Sequence, residues 1–109
     1  MPNQYRELSL KLPSVRLDRV VCQGLSITRQ VFEADFYSKK FYLNGKLLTK
    51  KSQKLKAGDG VDYITNLANQ DSARTAKRVR VVEVIEENGN PLILLRVWRQ
   101  AFPVYYHSK

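Results

Sequence analysis

Residues 39–59, KKFYLNGKLLTKKSQKLKAGD, decide how this chain folds. Two apolar runs, FYL and KLL, flank Asn44-Gly45. That dipeptide accepts positive φ at both positions, as a two-residue type I′ turn between antiparallel strands requires, so a β-hairpin is expected. Gly58-Asp59 marks a second turn, leading into a strand around residues 61–65. Leu43, Leu47 and Leu55 are read as apolar anchors. The segment also holds seven lysines and no acidic residue before Asp59. It is either a solvated hairpin or a surface for a polyanion.

Upstream, the spacing predicts two short helices. Between 15 and 22, Leu17, Val20 and Val21, with Leu25 beyond, fall on one helical face and leave Arg16 and Arg19 on the polar side. Gly24 is placed as the stop of this helix. LSITRQVFEADFYSKK is read as the second helix. With Thr28 as N-cap, Ile27 and Phe32 occupy hydrophobic-staple positions; Ser26 is the alternative cap. Phe32 and Phe36 share a buried stripe. Arg29 falls in the first turn, where its charge opposes the helix dipole by about 0.3–1 kcal/mol. A cation there hints at a task other than helix stability.

Downstream, residues 66–76 are polar and weakly patterned, and are read as a loop. Residues 77–100 are expected to form a second, longer hairpin turning at Asn88-Gly89-Asn90-Pro91, with Trp98 in the core. Residues 101–109 are an aromatic tail broken by Pro103, and residues 1–14 a polar extension ending in Pro13-Ser14. The expected class is α+β: two short helices packed on a small, mainly antiparallel sheet, with an additional C-terminal β-hairpin packed on a core at 15–65.

At 109 residues and 43% hydrophobic content, one domain with a modest core is expected. The 19 Lys+Arg against 10 Asp+Glu leave a formal charge of +9, which selects nucleic acid, an anionic membrane surface or an acidic protein as partner. Cys22 is the single cysteine, so an intrachain disulfide and a multi-cysteine metal site are excluded. No run approaches the roughly 18 apolar residues of a membrane span. MPNQYRELSLKLPS lacks both a secretory apolar core and a transit-peptide pattern. The expectation is a cytosolic protein, or a chain that begins after a removed targeting segment.

No catalytic constellation emerges. His107 sits in the tail, and Cys22 adjoins Val21 on an apolar helix face with no anchored histidine to activate it. Glu33 and Asp35, two apart on a helix, diverge, while Glu86-Glu87 flank a turn. Phosphate-cradling glycines, metal-ligand clusters and cofactor sites are all missing. A binding module is expected, not an enzyme. Its cations are unevenly placed: Arg16 and Arg19 on the first helix, Arg29 opening the second, Lys39 and Lys40 closing it, and Lys46, Lys50, Lys51, Lys54 and Lys56 along the hairpin and following turn. Arginine recognises phosphate bidentately and lysine adds adaptable point charge, so this grouping favours nucleic acid over a merely solvated face. Tyr42 on the hairpin suits either a core or a stacking role.

The order Arg16-Leu17-Asp18, an apolar helix, Thr28-Arg29, Asn44-Gly45-Lys46 and Gly58-Asp59 resembles the S-four RNA-binding domain over about residues 15–64. The resemblance implies an α–α–β core whose helix pair and hairpin bind structured RNA. Arg16 and Arg29 are then the foremost contacts, with Arg19, Lys39, Lys40, Lys46, Lys50 and Lys51 alongside. Gly24, Asn44, Gly45, Gly58 and Asp59 serve as turn residues, and Asp18 touches RNA or orients Arg19 or a helix terminus. Three positions depart from the pattern: Lys39 replaces a glycine, Thr28 a serine, and Lys40 a small polar or aromatic residue. With the following hairpin and LLRVWRQAFP, the chain is similar to the C-terminal domain of the mitochondrial transcription rescue factor family. That similarity implies an RNA-binding protein of the mitochondrial matrix that supports transcription and transcript levels and associates with the mitochondrial ribosome. The expected partners are structured RNA (transcripts, rRNA or tRNA) and the large ribosomal subunit, with no membrane partner, and a monomer is expected. A ribosome rescue factor of the bacterial type and an adaptor for an acidic protein are the alternatives.

Overall fold

The computed structural model describes residues 4–66 and 74–106. The elements run β1 (Arg6–Lys11), α1 (Leu17–Leu25), α2 (Arg29–Tyr37), β2 (Phe41–Leu43), β3 (Lys46–Leu47), β4 (Gly60–Asn66), β5 (Arg74–Glu87) and β6 (Asn90–Val104). All six strands join one antiparallel sheet in the order β1-β6-β5-β4-β2-β3. The helices pack on one of its faces, giving the α+β class with the C-terminal hairpin that the sequence predicts.

Between helices and sheet, Leu17, Val20, Val21 and Phe32 bury completely against Val79, Val81, Ile93, Leu95 and Val97. Phe32 meets Phe41 at 4.7 Å between ring centroids. Thr28 caps α2 as expected, its hydroxyl accepting the Val31 N–H at 3.1 Å. Gly24 is a correction. It lies inside α1, where a Cβ would come within 3.1 Å of Val79 Cγ2, so it permits close helix–sheet approach and does not stop the helix. Leu25 is buried and keeps the helix going one residue further; Ser26 then takes the left-handed conformation at φ 56° and donates its N–H to the Cys22 carbonyl.

The sheet is longer than expected at both ends of the chain. Within the polar extension, Leu8 and Leu10 alternate with Glu7, Ser9 and Lys11, and this period of two forms β1 on the edge of β6. β5 starts at Arg74 and β6 runs to Val104, because Phe102 and Val104 of the predicted tail bury with Ile64, Ala76 and Trp98 on the helix-free face. The second turn is made by Asn88 and Gly89, with Asn90 and Pro91 already in β6. Residues 67–73 of the predicted loop, and His107, lie outside the described residues. Leu43 and Leu55 anchor the first hairpin as expected, but Leu47 is 39% exposed, because its register with Tyr42 aims it away from the helices.

Candidate nucleic-acid interface

The lysine-rich segment is fastened to the start of α1. Arg16, the N-cap, makes no side-chain cap, and the first helical donors are met by backbone instead. Leu17 N–H bonds the Gln53 carbonyl at 2.8 Å and Asp18 N–H the Lys51 carbonyl at 3.2 Å, while Leu55 N–H returns to Val15 at 2.8 Å. These bonds bring Lys51 and Lys54 beside Arg16 and satisfy groups that every helix N-terminus leaves unpaired.

Asp18 joins the two arginines foremost in the sequence reading. Its carboxylate is fully buried; one oxygen accepts the Arg19 backbone N–H at 2.8 Å, and the other accepts Arg16 Nη2 at 3.0 Å and forms an ion pair with Arg29 Nη2 at 3.2 Å. Asp18 therefore orients Arg16 and Arg29, not the Arg19 side chain. Arg29 continues to Glu33 at 3.1 Å, and the other Glu33 oxygen accepts the Lys51 ammonium. That hydrogen bond, with Arg29 assisting, holds the Glu33 carboxyl below its ordinary range and the Lys51 ammonium above its own. Lys51 also lies 5.2 Å from the Tyr37 ring centroid, in cation–π range.

Arg16, Asp18, Arg29, Glu33 and Lys51 thus form a chain of alternating charge across the helix pair. The cations are held in place but partly neutralised. Arg19, Lys46 and Lys50 are exposed and have no carboxylate partner among the described residues, so they carry the unbalanced field. Arg29 at the start of α2 is stabilised by two carboxylates, which offsets its unfavourable place in the helix dipole. Charge reversal at Arg16 and Arg29 would set new carboxylates against buried Asp18 and damage the fold; Lys46 and Lys50 are the cleaner positions for a binding test.

Lys39 and Lys40 stand apart. The nine residues of α2, at about 1.5 Å rise each, set its two ends about 12 Å apart, with Arg29 at one end and Lys39 just past the other. Lys39 adopts φ 61°, the left-handed conformation a glycine would take, and closes α2 with Lys39 N–H to Phe36 and Lys40 N–H to Asp35, both at 3.0 Å. The Lys40 ammonium rests 3.5 Å from Asp35.

The turn residues interlock. Asn44 and Gly45, at φ 51° and 83°, make the tight turn as expected. Asn44 Nδ2 donates to Asp59 at 3.0 Å, its Oδ1 accepts the Gly60 N–H at 2.9 Å, and Asp59 also accepts the Lys56 N–H at 2.9 Å. Burial pushes the Asp59 carboxyl up, but these donors outweigh it and leave it below its usual value. Asp59 thereby ties the two turns together and fixes the hairpin that carries Lys46. Tyr42 faces the other side of the sheet, stacked on Tyr106 at 4.5 Å. Burial raises the Cys22 thiol, in keeping with a packing residue. Glu33 escaped the sequence reading as the counter-anion of this face. Its spacing of four from Arg29 was visible, whereas its contact with Lys51, 18 residues away, depends on the fold.

The fold and this face define a small basic α+β domain with a cation-lined helix pair and hairpin on one side of an antiparallel sheet. The chain belongs to the family of the C-terminal domain of mitochondrial transcription rescue factor 1, whose family model matches residues 6–102. Two relatives carry that protein's name. The Mus musculus mitochondrial transcription rescue factor 1 is 33% identical over 98 residues, and the Homo sapiens protein 32% identical over 98 residues. In each case the match takes in 87% of this chain and spans 41% of the relative's length.

Proposed function

We propose that this chain is an RNA-binding module of a mitochondrial transcription rescue factor, taking structured RNA against the α1–α2 and hairpin face. The observation that carries the reading is the preorganised pair Arg16 and Arg29 on one buried carboxylate, flanked by Arg19, Lys46 and Lys50, which have no carboxylate partner among the described residues. Paired arginines offer fixed forks for phosphate oxygens, and the exposed lysines gain by releasing counterions from the RNA. Recognition is by shape, since side chains cannot enter the deep major groove of A-form RNA. The domain is a non-catalytic part of a longer mitochondrial protein, supports transcription and transcript levels there, and associates with the ribosome through rRNA or tRNA.

The test is binding of a structured RNA at several salt concentrations. Substituting Lys46 and Lys50 by Gln should weaken affinity and reduce the salt slope by about two, roughly one for each phosphate left without its lysine. Arg6→Gln, on the distant edge strand, should change neither. Equal losses at both places would remove the face assigned here.

A further inference from the structure

β5 segregates its charge along its length. Arg74, Lys77, Arg78 and Arg80 occupy its first half, whereas Glu83, Glu86 and Glu87 all follow Val81. The Val81/Glu83 register shift separates the halves. Val79 meets Gly24 of α1, so the period of two turns Arg78 and Arg80 to the helix-free face. Arg80 pairs directly with Arg96 of β6 on that same face. Like charges opposite one another in a ladder are destabilising, and an anion seated between them would relieve that cost. Arg78 is engaged by Asp62, whereas Arg96 lies over the Tyr5 ring at 4.8 Å and reaches Glu7 at 3.8 Å, leaving its guanidinium part-exposed. Arg80 is exposed and has no carboxylate partner among the described residues.

A recess lies beside Arg80. Gly45, Gly58 and Gly60 leave its walls open, and Asn44 closes one side. Asp62 on its floor is buried and already bonded to Arg78 and Tyr106. Asn44 also borders the recess of the hairpin that contains Lys46 and Lys50. At the Asn44-Gly45 tip, therefore, the basic helix face and the arginine-bearing rear face adjoin through a shared wall.

We propose that a single-stranded segment of the bound RNA passes over the Asn44-Gly45 tip and places its phosphates on Arg80 and Arg96, extending the binding track to the rear face of the sheet. This rests on the RNA-binding reading above. A duplex is too stiff to turn around a sheet edge, whereas a single strand follows it; the arginine planes add stacking surface for unpaired bases.

The experiment uses the whole chain and two RNA probes, a bare stem-loop and the same stem-loop with single-stranded extensions at both ends. For Arg80→Gln/Arg96→Gln, affinity for the extended probe should fall about tenfold and its salt slope by roughly 1.4, at 0.7 per single-strand phosphate. Binding of the bare stem-loop should be unchanged, and the melting temperature should change little, since relief of the opposed charges offsets the loss of the Arg96 contacts with Tyr5 and Glu7. The Lys46→Gln/Lys50→Gln variant, run in parallel, should lose affinity for both probes. If only the lysine variant loses affinity, the rear track is wrong and the helix-face reading stands. If only the arginine variant loses it, the helix-face reading fails and the rear track stands. A wild-type chain that binds neither probe overturns both. Binding of poly-aspartate that depends on Arg80 and Arg96, with RNA binding indifferent to them, assigns the face to an acidic polypeptide and overturns the proposal.

Discussion

Asp18 and Arg29 meet at 3.2 Å between the start of α1 and the start of α2, and the carboxylate of this pair is fully buried while the guanidinium is half exposed. The same oxygen holds Arg16 at 3.0 Å. The anion thus fixes the direction of two cations that look outward. Its charge alone would weaken binding of a polyanion, and its geometry would strengthen it.

Asp18→Asn separates these effects. Net charge rises by one, so a purely electrostatic surface would bind RNA more tightly. Loss of orientation predicts weaker binding despite the added charge. Stability should fall by about 1–3 kcal/mol, since hydrogen bonds to a charged group are lost but the arginines remain partly solvated. Tighter binding by the variant in a titration at fixed salt would show that preorganisation is unimportant here.

Lys39→Gly should stabilise the protein. A left-handed residue with a Cβ is disfavoured by about 1–2 kcal/mol, and the flexibility of glycine in the unfolded chain returns roughly 0.5–1 of that. A net gain near 0.5–1 kcal/mol is expected. Lys39→Ala removes the same charge and keeps the strain, so it should stay near wild type. Urea midpoints at unchanged m compare the three proteins; equal midpoints for the glycine and alanine variants would contradict the strain argument.

Both helices, the Thr28 cap and the Asn44-Gly45 turn were legible because each is a local signal, of apolar spacing, capping or turn chemistry. Lys39 was legible as a departure, and its backbone conformation follows from the closure of α2. Gly24 misled because a glycine near a helix end fits either a stop or a close contact, and only the position of Val79 distinguishes them. β1 has its two-residue alternation, but strongly polar flanks masked it. The burial of Phe102 and Val104 depends on partners at Ile64 and Ala76 that local pattern cannot supply. On the candidate site, the arginines were visible and the carboxylate joining them was visible too. Its geometry was not, because Arg29 approaches Asp18 from another helix.

Acid should loosen the tie between the turns. The folded Asp59 carboxyl lies below its ordinary value, near 3.9 in an unfolded chain. Its stabilising contribution is therefore complete above about pH 4 and is lost as pH falls through the lower folded value. Asp59→Ala should lower stability by roughly 1–3 kcal/mol at pH 7. The gap between variant and wild type should narrow as the solution is acidified below pH 4. Urea unfolding at neutral and acid pH measures it, and a gap independent of pH would assign the loss to packing instead of charge.

Tyr106 holds the first hairpin from behind. Its ring stacks on Tyr42 of β2 at 4.5 Å with the planes 14° apart, and its hydroxyl donates to the buried Asp62 carboxylate. Burial and that bond raise the phenol above its ordinary range, so it remains a donor at neutral and mildly alkaline pH. Tyr106→Phe removes one hydrogen bond to a charged acceptor, a loss of about 1.5–3 kcal/mol, while the stack persists. Tyr106→Ala removes the stack as well, worth about a further 0.5–1.5 kcal/mol beyond the buried area. The stack bears on β2 itself, so the alanine variant should also speed amide exchange across the Tyr42–Leu47 pairing and weaken RNA binding through Lys46. The phenylalanine variant should leave both near wild type. If the two variants exchange and bind alike, the ring contributes nothing to hairpin position, and the tail acts only through Asp62.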